Sequence, residues 1–162
     1  MAGSVDIHKA VAALWASSGL DTVFKSYWSV AAQSLYLTLN DGEAAPKTPF
    51  PFVVYEATKQ NTRTKTSADG SFKRHINDQP WTFMVYAKQT TLKTAKELAS
   101  DLASELLKIF GGHPTVHPSA LTLDNGKVLL VQYENDYGER AGDDTHKWTI
   151  SYNILTDVPV AV

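Results

Sequence analysis

The stretch Trp81-Thr-Phe-Met-Val-Tyr-Ala87, with the helical pattern that follows it as far as Gly112, decides the fold of this chain. Residue types alternate along the stretch, so a strand built from it separates two sets of side chains onto opposite faces. The more apolar set is Trp81, Phe83, Val85 and Ala87, and the other set is Thr82, Met84 and Tyr86. We therefore predict a strand with one face toward the core and a less apolar back.

Directly after this strand, the spacing of apolar residues changes to three or four positions, which is the period of a helix. The apolar positions are Leu92, Ala95, Leu98, Ala99, Leu102, Ala103, Leu106, Ile109 and Phe110. Thr94 and Glu97 have capping-box spacing, and Gly111-Gly112 followed by Pro114 is a helix stop signal. The sequence predicts one long amphipathic helix. The predicted contact joins the stripe Leu98, Leu102, Leu106 and Ile109 to a sheet with Phe83, Val85, Trp148 and Ile150.

Length and composition favour a single domain that spans residues 1–162. Hydrophobic residues make up 43% of the chain, which is enough to form a core. The net charge of -2 gives no general attraction to nucleic acid or to anionic membranes. Cysteine is absent, which excludes disulfides, thiolate metal sites and cysteine catalysis. We see neither a signal-peptide pattern nor an apolar run of membrane-spanning length.

The N-terminal part contains one clear helical pattern and one stretch without a period. The helical positions are Ile7, Val11, Leu14 and Trp15. Ser4 or Asp6 is expected to cap this helix. No single period holds from Leu20 to Leu39, so residues 20–45 are the least predictable part of the chain. We expect a short helical turn near Thr22 to Ser26, then irregular or partly extended chain, and a turn at Asn40-Asp41-Gly42.

A polar segment follows the next predicted strand. A Pro-rich connector leads into Phe52–Ala57, whose residue types predict a strand. The segment from Thr58 to Ser71 has almost no large apolar residue, and its Asp69-Gly70 pair predicts a turn. We predict a long polar hairpin, extending to His75, that protrudes beyond the core.

The C-terminal third predicts three more strands. Ser119–Asp124 and Val128–Tyr133 flank Asn125-Gly126, the strongest hairpin signal in the chain. The polar stretch Glu134–Asp144 predicts a loop or another protruding hairpin end, and the last strand begins at Trp148 with one wet face. The predicted fold class is α+β. It is an antiparallel or mixed sheet with the long amphipathic helix and the N-terminal helix packed on one face, plus a protruding polar hairpin.

No residue pattern predicts a catalytic or cofactor site. His113 and His117 have the i, i+4 spacing of a zinc pair, but Pro114 and Pro118 break the helix that such a pair needs. We therefore prefer a Pro-bounded loop there.

Asp143, Asp144 and His146 lie close together in the sequence, and carboxylates beside a histidine are candidates for acid–base work or for a divalent ion. Their spacing does not match a calcium loop, so a solvated loop is the preferred interpretation. We expect no catalytic residue, no cofactor and no metal.

The predicted hairpin concentrates positive charge in a chain that is negative overall. Its basic residues are Lys59, Arg63, Lys65, Lys73 and Arg74. Such residues can contact phosphates, but the hairpin lacks the aromatic row that stacks on bases, because Phe72 stands alone. We prefer a solvated or partner-facing hairpin. Trp28, in the stretch without a period, is the tryptophan that we expect at an interface.

The order of elements resembles the bacteriophage tail terminator (tail completion) family of long-tailed phages. Its members are small α+β proteins in which an N-terminal helix leads to a Pro-bounded strand, a long hairpin, a further strand, a long amphipathic helix and closing strands. The matching segments here are Ile7 to Trp15, Pro49-Phe-Pro-Phe-Val-Val-Tyr55, Trp81 to Ala87 with Thr94 to Ala99, and the strand from Trp148. The resemblance covers most of the chain.

The resemblance implies a structural virion protein and not an enzyme. Such proteins assemble in the host cytoplasm into a ring, commonly a hexamer, at the head-proximal end of the tail tube. The ring ends tube polymerisation and provides the docking surface for the head connector. The implied partners are other copies of the chain, the tail tube protein and a head-completion or connector protein, with no membrane and no specific nucleic acid. The genome is expected to pass through the lumen. The residues leave two alternatives open. One is a small α+β module that binds a ligand or a nucleic acid, and the other is an enzyme, which would need the acids near His146 to converge with another group.

Overall fold

The computed structural model describes residues 2–18, 38–44, 47–48, 50–57, 61–66, 73–91, 93–111, 121, 123 and 127–159. The helices are α1 (Ala2–Ser17) and α2 (Ala95–Phe110). The strands are β1 (Thr38–Asp41), β2 (Phe52–Ala57), β3 (Asn61–Thr66), β4 (Lys73–Lys88), β5 (Lys127–Arg140) and β6 (Thr145–Pro159). This composition confirms the predicted α+β class. Neither described helix is long and apolar enough to cross a membrane.

The strands form one mixed sheet in the order β1-β2-β4-β6-β5. Strand β3 pairs with β4 beyond the end of β2, and β1 with β2 is the parallel pair. Strands β4 and β6 lie side by side from Arg74 opposite Pro159 to Lys88 opposite Thr145. This long antiparallel pair is the centre of the sheet, and the other strands are placed by it.

One face of the sheet forms the core. Trp81 lies opposite Tyr152 and Phe83 lies opposite Ile150, so these four side chains share a face, and all are buried. Helix α2 places its apolar stripe in the same core. Leu98, Leu102 and Leu106 are at most 2% exposed, while Ile109 and Trp148 are partly buried at the margin. The predicted packing partners are therefore found in one cluster.

Helix α1 packs on the same face of the sheet. Ile7 and Val11 are buried in the core cluster. The His8 ring lies 5.6 Å from the Tyr55 ring and 5.0 Å from the Trp81 ring, and both aromatic residues belong to the core face. Both described helices therefore cover one face, and no described helix covers the other.

Both ends of α2 follow the predicted signals. The Thr94 hydroxyl accepts a hydrogen bond from the Glu97 backbone N–H at 3.2 Å, and the Glu97 carboxylate accepts one from the Thr94 N–H at 3.0 Å. At the other end, Gly111 has a φ of 70° and donates its N–H to Leu107 O at 2.8 Å. The capping box and the glycine stop are confirmed.

Two N-terminal predictions are wrong. Ser4 and Asp6 do not cap α1, because the helix already begins at Ala2. Asn40 and Asp41 do not form a turn, because they end strand β1. Their position is fixed by bonds to β2, since the Asn40 side-chain amide donates to Val53 O and the Gly42 N–H donates to Tyr55 O. Only the bend after them agrees with the predicted turn.

The predicted strand Ser119–Asp124 is wrong at its two described positions. Leu121 and Leu123 lie outside any strand, although Leu121 is buried in the core. Strand β5 pairs with β6 and continues as far as Arg140, and residues 141–144 form the end of this hairpin, which agrees with the predicted alternative of a hairpin end. The ladder with β6 gives backbone partners to residues whose polarity predicted a loop. The Asn125-Gly126 turn lies outside the described residues.

Leu102→Ala is expected to lower the free energy of unfolding by about 2–5 kcal/mol, because the change removes buried surface and leaves a cavity. Leu102 is fully buried. Urea unfolding followed by circular dichroism measures the effect. The matched control is Ser104→Ala at an exposed position of the same helix, which should change the free energy by no more than about 0.5 kcal/mol. An unfolding midpoint equal to that of the wild type would exclude Leu102 from the core.

Candidate assembly interface

Strand β5 forms one edge of the sheet. Its inner side pairs with β6 from Lys127 opposite Asp157 to Arg140 opposite His146, and no described strand pairs with its outer side. It has fourteen residues, whereas the edge strand β1 has four. Natural sheets usually keep edge strands short or covered, because unpaired backbone groups invite another strand. A long open edge is therefore a candidate interaction surface.

Three large apolar side chains of β5 are exposed to solvent. Leu129, Leu130 and Tyr137 are 46%, 48% and 51% exposed. Single exposed apolar residues are ordinary, but three along one open edge add apolar area to the unpaired backbone. The sequence analysis missed this surface, since it gave Leu129 and Leu130 a partner strand and placed Tyr137 in a loop or a hairpin end. The alternation of Val131 and Tyr133, which continues to Tyr137, was the signal for a longer strand.

Two irregularities divide β5. The register with β6 shifts between Val128 and Leu130 and again between Tyr133 and Asn135. Bulges of this kind bend an edge and discourage pairing. From Asn135 to Arg140, however, the pairing with β6 is regular. The last six residues of β5 therefore form the part of the edge that is best suited to another strand.

Asp136 fixes the inner side of this run. Its carboxylate accepts hydrogen bonds from the Tyr133 hydroxyl and from the Trp148 indole N–H, the latter at 2.7 Å. Burial, aided by the hydrogen bond and the charge of Asp136, raises the pKa of Tyr133 to about 12. Burial also raises the pKa of Tyr152, with Tyr133 and Asp136 adding to the effect. These contacts hold β5 against β6 from the core side.

Gly138 lets the end of β5 approach β6 closely. A Cβ atom at this position would lie 2.5 Å from the Trp148 ring and 2.8 Å from His146 Nε2. Contacts this short would force one of the two rings to move. Glycine at this position therefore keeps the regular run of β5 in place.

The end of β5 and the turn after it are acidic. The segment from Lys127 to Asp144 contains five carboxylates and two cations. Some of these charges are paired: Glu139 with Lys147 at 2.6 Å, Arg140 with Asp143 at 3.6 Å, and Lys88 with Asp144 at 3.4 Å. Exposed ion pairs contribute little free energy and are screened by salt. Because Lys88 and Lys147 pair with two of the five carboxylates, this corner of the sheet keeps only a small net negative charge.

The predicted polar hairpin consists of β3 and the first part of β4. Asn61 lies opposite Asp78 and Thr66 lies opposite Lys73, so the paired strands agree with the prediction. The predicted two-stranded hairpin has a third strand beside it, because β6 pairs with the other side of β4 as far as Arg74. Strand β3 forms a second open edge, since β1 pairs with β2 alone among the described strands.

The structure describes the predicted interface residues in part. Arg63, Lys65, Lys73 and Arg74 lie on β3 and β4, with Lys65 opposite Arg74, and their side chains lie outside the described part of the structure. Lys59 and Trp28 lie outside the described residues altogether. Like charges directly opposite each other destabilise a strand pair. The interface role of these six residues stays a prediction.

Among the described residues, no three His, Asp or Glu side chains come together in a way that could hold a metal ion. His113 and His117 lie outside the described residues. His146 lies in β6 and not in a loop; burial lowers its pKa, nearby Lys96 lowers it further, and Glu139 opposes the shift. The expected independence of metal stays a prediction.

Two surface depressions lie among the described residues. One of about 490 Å³ lies between the polar side of α2 and Trp148, where Lys93, Lys96 and Asp101 line it. The other, of about 350 Å³, lies between Asp78 and Glu134. Small-molecule sites are usually concave and mostly apolar, with a few polar groups. The alternative of a ligand-binding module stays a prediction.

No protein-family model matches the sequence, and no curated protein matches it. A solved structure with a related arrangement is a chain of the virion of a native gene transfer agent (GTA) particle. The TM-score is 0.48 and the sequence identity is 13%, and the match covers 96% of this chain and 95% of that chain. This similarity does not show a family, and membership of the tail terminator family stays a prediction.

Tyr133 is expected to ionise near pH 12 in the folded protein, above its ordinary value of 10.0. Because the folded pKa is the higher one, this hydroxyl stabilises the fold below about pH 10, and its contribution is lost as the pH rises toward about 12. Titration of tyrosinate absorbance in the wild type and in Tyr133→Phe isolates the transition. Asp136→Asn should lower it part of the way, because the negative charge is removed.

The control for this titration is Tyr137→Phe, which removes an exposed tyrosine of the same strand and should keep the late transition. A Tyr133 transition that does not move in Asp136→Asn would show that Asp136 does not hold this hydroxyl.

Proposed function

We propose that this chain is a structural virion protein, not an enzyme, and that its copies form a ring that caps a phage-type tail tube. The ring ends polymerisation of the tube at its head-proximal end and provides the docking surface for the head connector. Its partners are other copies of the chain, the tube protein and the connector protein, and assembly takes place in the host cytoplasm. The resemblance in element order and the open sheet both support this proposal.

The observation that carries the proposal is a sheet in which the β3 edge and the β5 edge are unlike, and both are open among the described strands. Strand β5 is long, acidic toward its end and exposes Leu129, Leu130 and Tyr137. Strand β3 has six residues, of which Arg63 and Lys65 are basic. When the β3 edge of one copy contacts the β5 edge of the next, the copies associate head to tail. Such a heterologous contact closes into a ring when the rotation between copies permits it. A symmetric dimer would use one surface twice.

The position of the helices is compatible with this assembly. Both described helices pack on one face of the sheet, so neither covers the β3 or the β5 edge. A ring joined through these edges would present the helices on one of its surfaces. The opposite face of the sheet, with the partly exposed Thr82, Ser151 and Asn153, would form another surface.

Light scattering on the purified protein tests the proposal. We expect one closed oligomer, a hexamer if the resemblance holds, either at high protein concentration or on addition of the tube protein. Electron microscopy should then show rings and tubes capped at one end. A chain that stays monomeric at every concentration and in the presence of the tube protein would contradict the proposal.

Reversal of Arg63, Lys65 and Arg74 to Glu is expected to weaken ring formation and to give longer tubes, because the hairpin would lose the charge that attracts its neighbour. Circular dichroism should show a folded monomer. The control reverses three exposed lysines on the helices, Lys9, Lys96 and Lys108. Equal assembly and equal tube length in the two variants would reject the hairpin as an interface, and loss of fold would show that it belongs to the core.

A further inference from the structure

We infer that the ring interface is a strand addition, in which β3 of one copy pairs antiparallel with the Asn135–Arg140 run of β5 in the next copy. The inference rests on the proposed ring and specifies its contact. The occupant of the open β5 edge is therefore a second copy of this chain. Three independent features of the described strands support this pairing: their directions, their lengths and their charges.

Strand directions favour the pairing. Strand β3 is antiparallel to β4, and β5 is parallel to β4 because both are antiparallel to β6. When copies repeat around a ring in one orientation, β3 of one copy meets β5 of the next as an antiparallel neighbour. Antiparallel pairs are slightly more stable per residue than parallel ones. Addition of an extended segment to an open edge is a common mode of protein recognition.

The lengths of the two edges also match. Strand β3 runs for six residues, from Asn61 to Thr66. The regular part of β5, after the bulge at Tyr133 and Asn135, also has six residues and ends at Arg140. The bulges leave the earlier part of β5 less suited to a partner strand. The contact is therefore expected at the end of β5 that lies next to the β5–β6 turn.

Charge selects the same end of β5. The segment from Lys59 to Arg74 has five basic residues and one acidic residue, while the segment from Lys127 to Asp144 has five acidic residues and two basic ones. Lys147 and Lys88 pair with Glu139 and Asp144, so the acidic segment keeps a small negative excess. Opposite charges across an interface steer association and exclude wrong partners. Two β5 edges facing each other would bring acidic segments together, which disfavours the symmetric alternative.

Face alternation limits the register. Arg63 is paired with Ile76 in β4, and Glu139 is paired with Lys147 in β6, and both positions belong to the sheet face opposite the helices. A continuous sheet joins positions of the same face, so Arg63 is able to lie opposite Glu139. In this register, five residues of β3 pair within the Asn135–Arg140 run, from Thr62 opposite Arg140 to Thr66 opposite Asp136 of the next copy. The Thr62–Arg140 pair lies on the face that carries the helices.

Cysteine crosslinking tests the pairing, because the chain has no cysteine of its own. Thr62→Cys and Arg140→Cys are prepared separately and together, and each protein is assembled and then oxidised with diamide. Paired strands place Cα atoms within the range of a disulfide. Positions 62 and 140 belong to opposite edges of one sheet, so a bridge between them joins two copies.

We expect covalent dimers when the two single variants are mixed, and none from either variant alone. The double variant should give a ladder of bands that ends at the number of subunits in the ring. The control pairs Ser104→Cys on the exposed side of α2 with Arg140→Cys, and this mixture should not crosslink.

An oligomer that assembles by light scattering without a crosslink between positions 62 and 140 would overturn this pairing and leave the proposed ring standing. Dimers from Arg140→Cys alone would overturn it in favour of a symmetric contact between β5 edges. Absence of any oligomer in the wild type would overturn both the pairing and the proposed ring.

Discussion

The antiparallel pairing of β4 with β6 is the interaction on which the rest of the structure depends. It runs from Arg74 opposite Pro159 to Lys88 opposite Thr145 without a register shift. Each residue pair along it shares a face, so Trp81 and Phe83 are brought to the same side as Tyr152 and Ile150. A slip by one residue would turn these aromatic residues away from the helices. The packing of the core therefore fixes the register of β4 and β6, and this register determines where the β3 and β5 edges lie.

The position of the two described helices leaves the β3 and β5 edges of the sheet open. Both described helices are used to cover the aromatic face, since α2 contributes Leu98, Leu102 and Leu106 and α1 contributes Ile7 and Val11. The edges are then left to strands of different length and charge. On the side of β5 that faces β6, the Asp136 carboxylate accepts a hydrogen bond from Trp148. No described strand pairs with the other side of β5, so another strand can be added there on assembly. Assembly is, in this account, the continuation of one sheet through several copies.

The sequence was sufficient for elements whose local and tertiary signals agree. The α2 stripe, its Thr94–Glu97 cap and the core face of β4 all follow from periodicity and capping chemistry, because these interactions are local or repeat regularly. It was insufficient where pairing at a distance decides the outcome. Asn40 and Asp41 have turn propensities but form a strand because β2 lies beside them. The polar residues after Tyr133 form a strand because β6 supplies the ladder.

The sequence analysis predicted the basic β3–β4 hairpin as an interface and missed the acidic end of β5. Clustered lysine and arginine residues are visible in a sequence, whereas an open edge is a property of strand order, which no local pattern contains.

Hydrogen exchange of backbone amides tests the central claim most directly, by comparing dilute monomer with assembled protein. The account predicts that amides of Asn61–Thr66 and Asn135–Arg140 become protected together on assembly, with little change in the β4–β6 pair. Assembled protein in which both runs exchange as fast as in the monomer would contradict it.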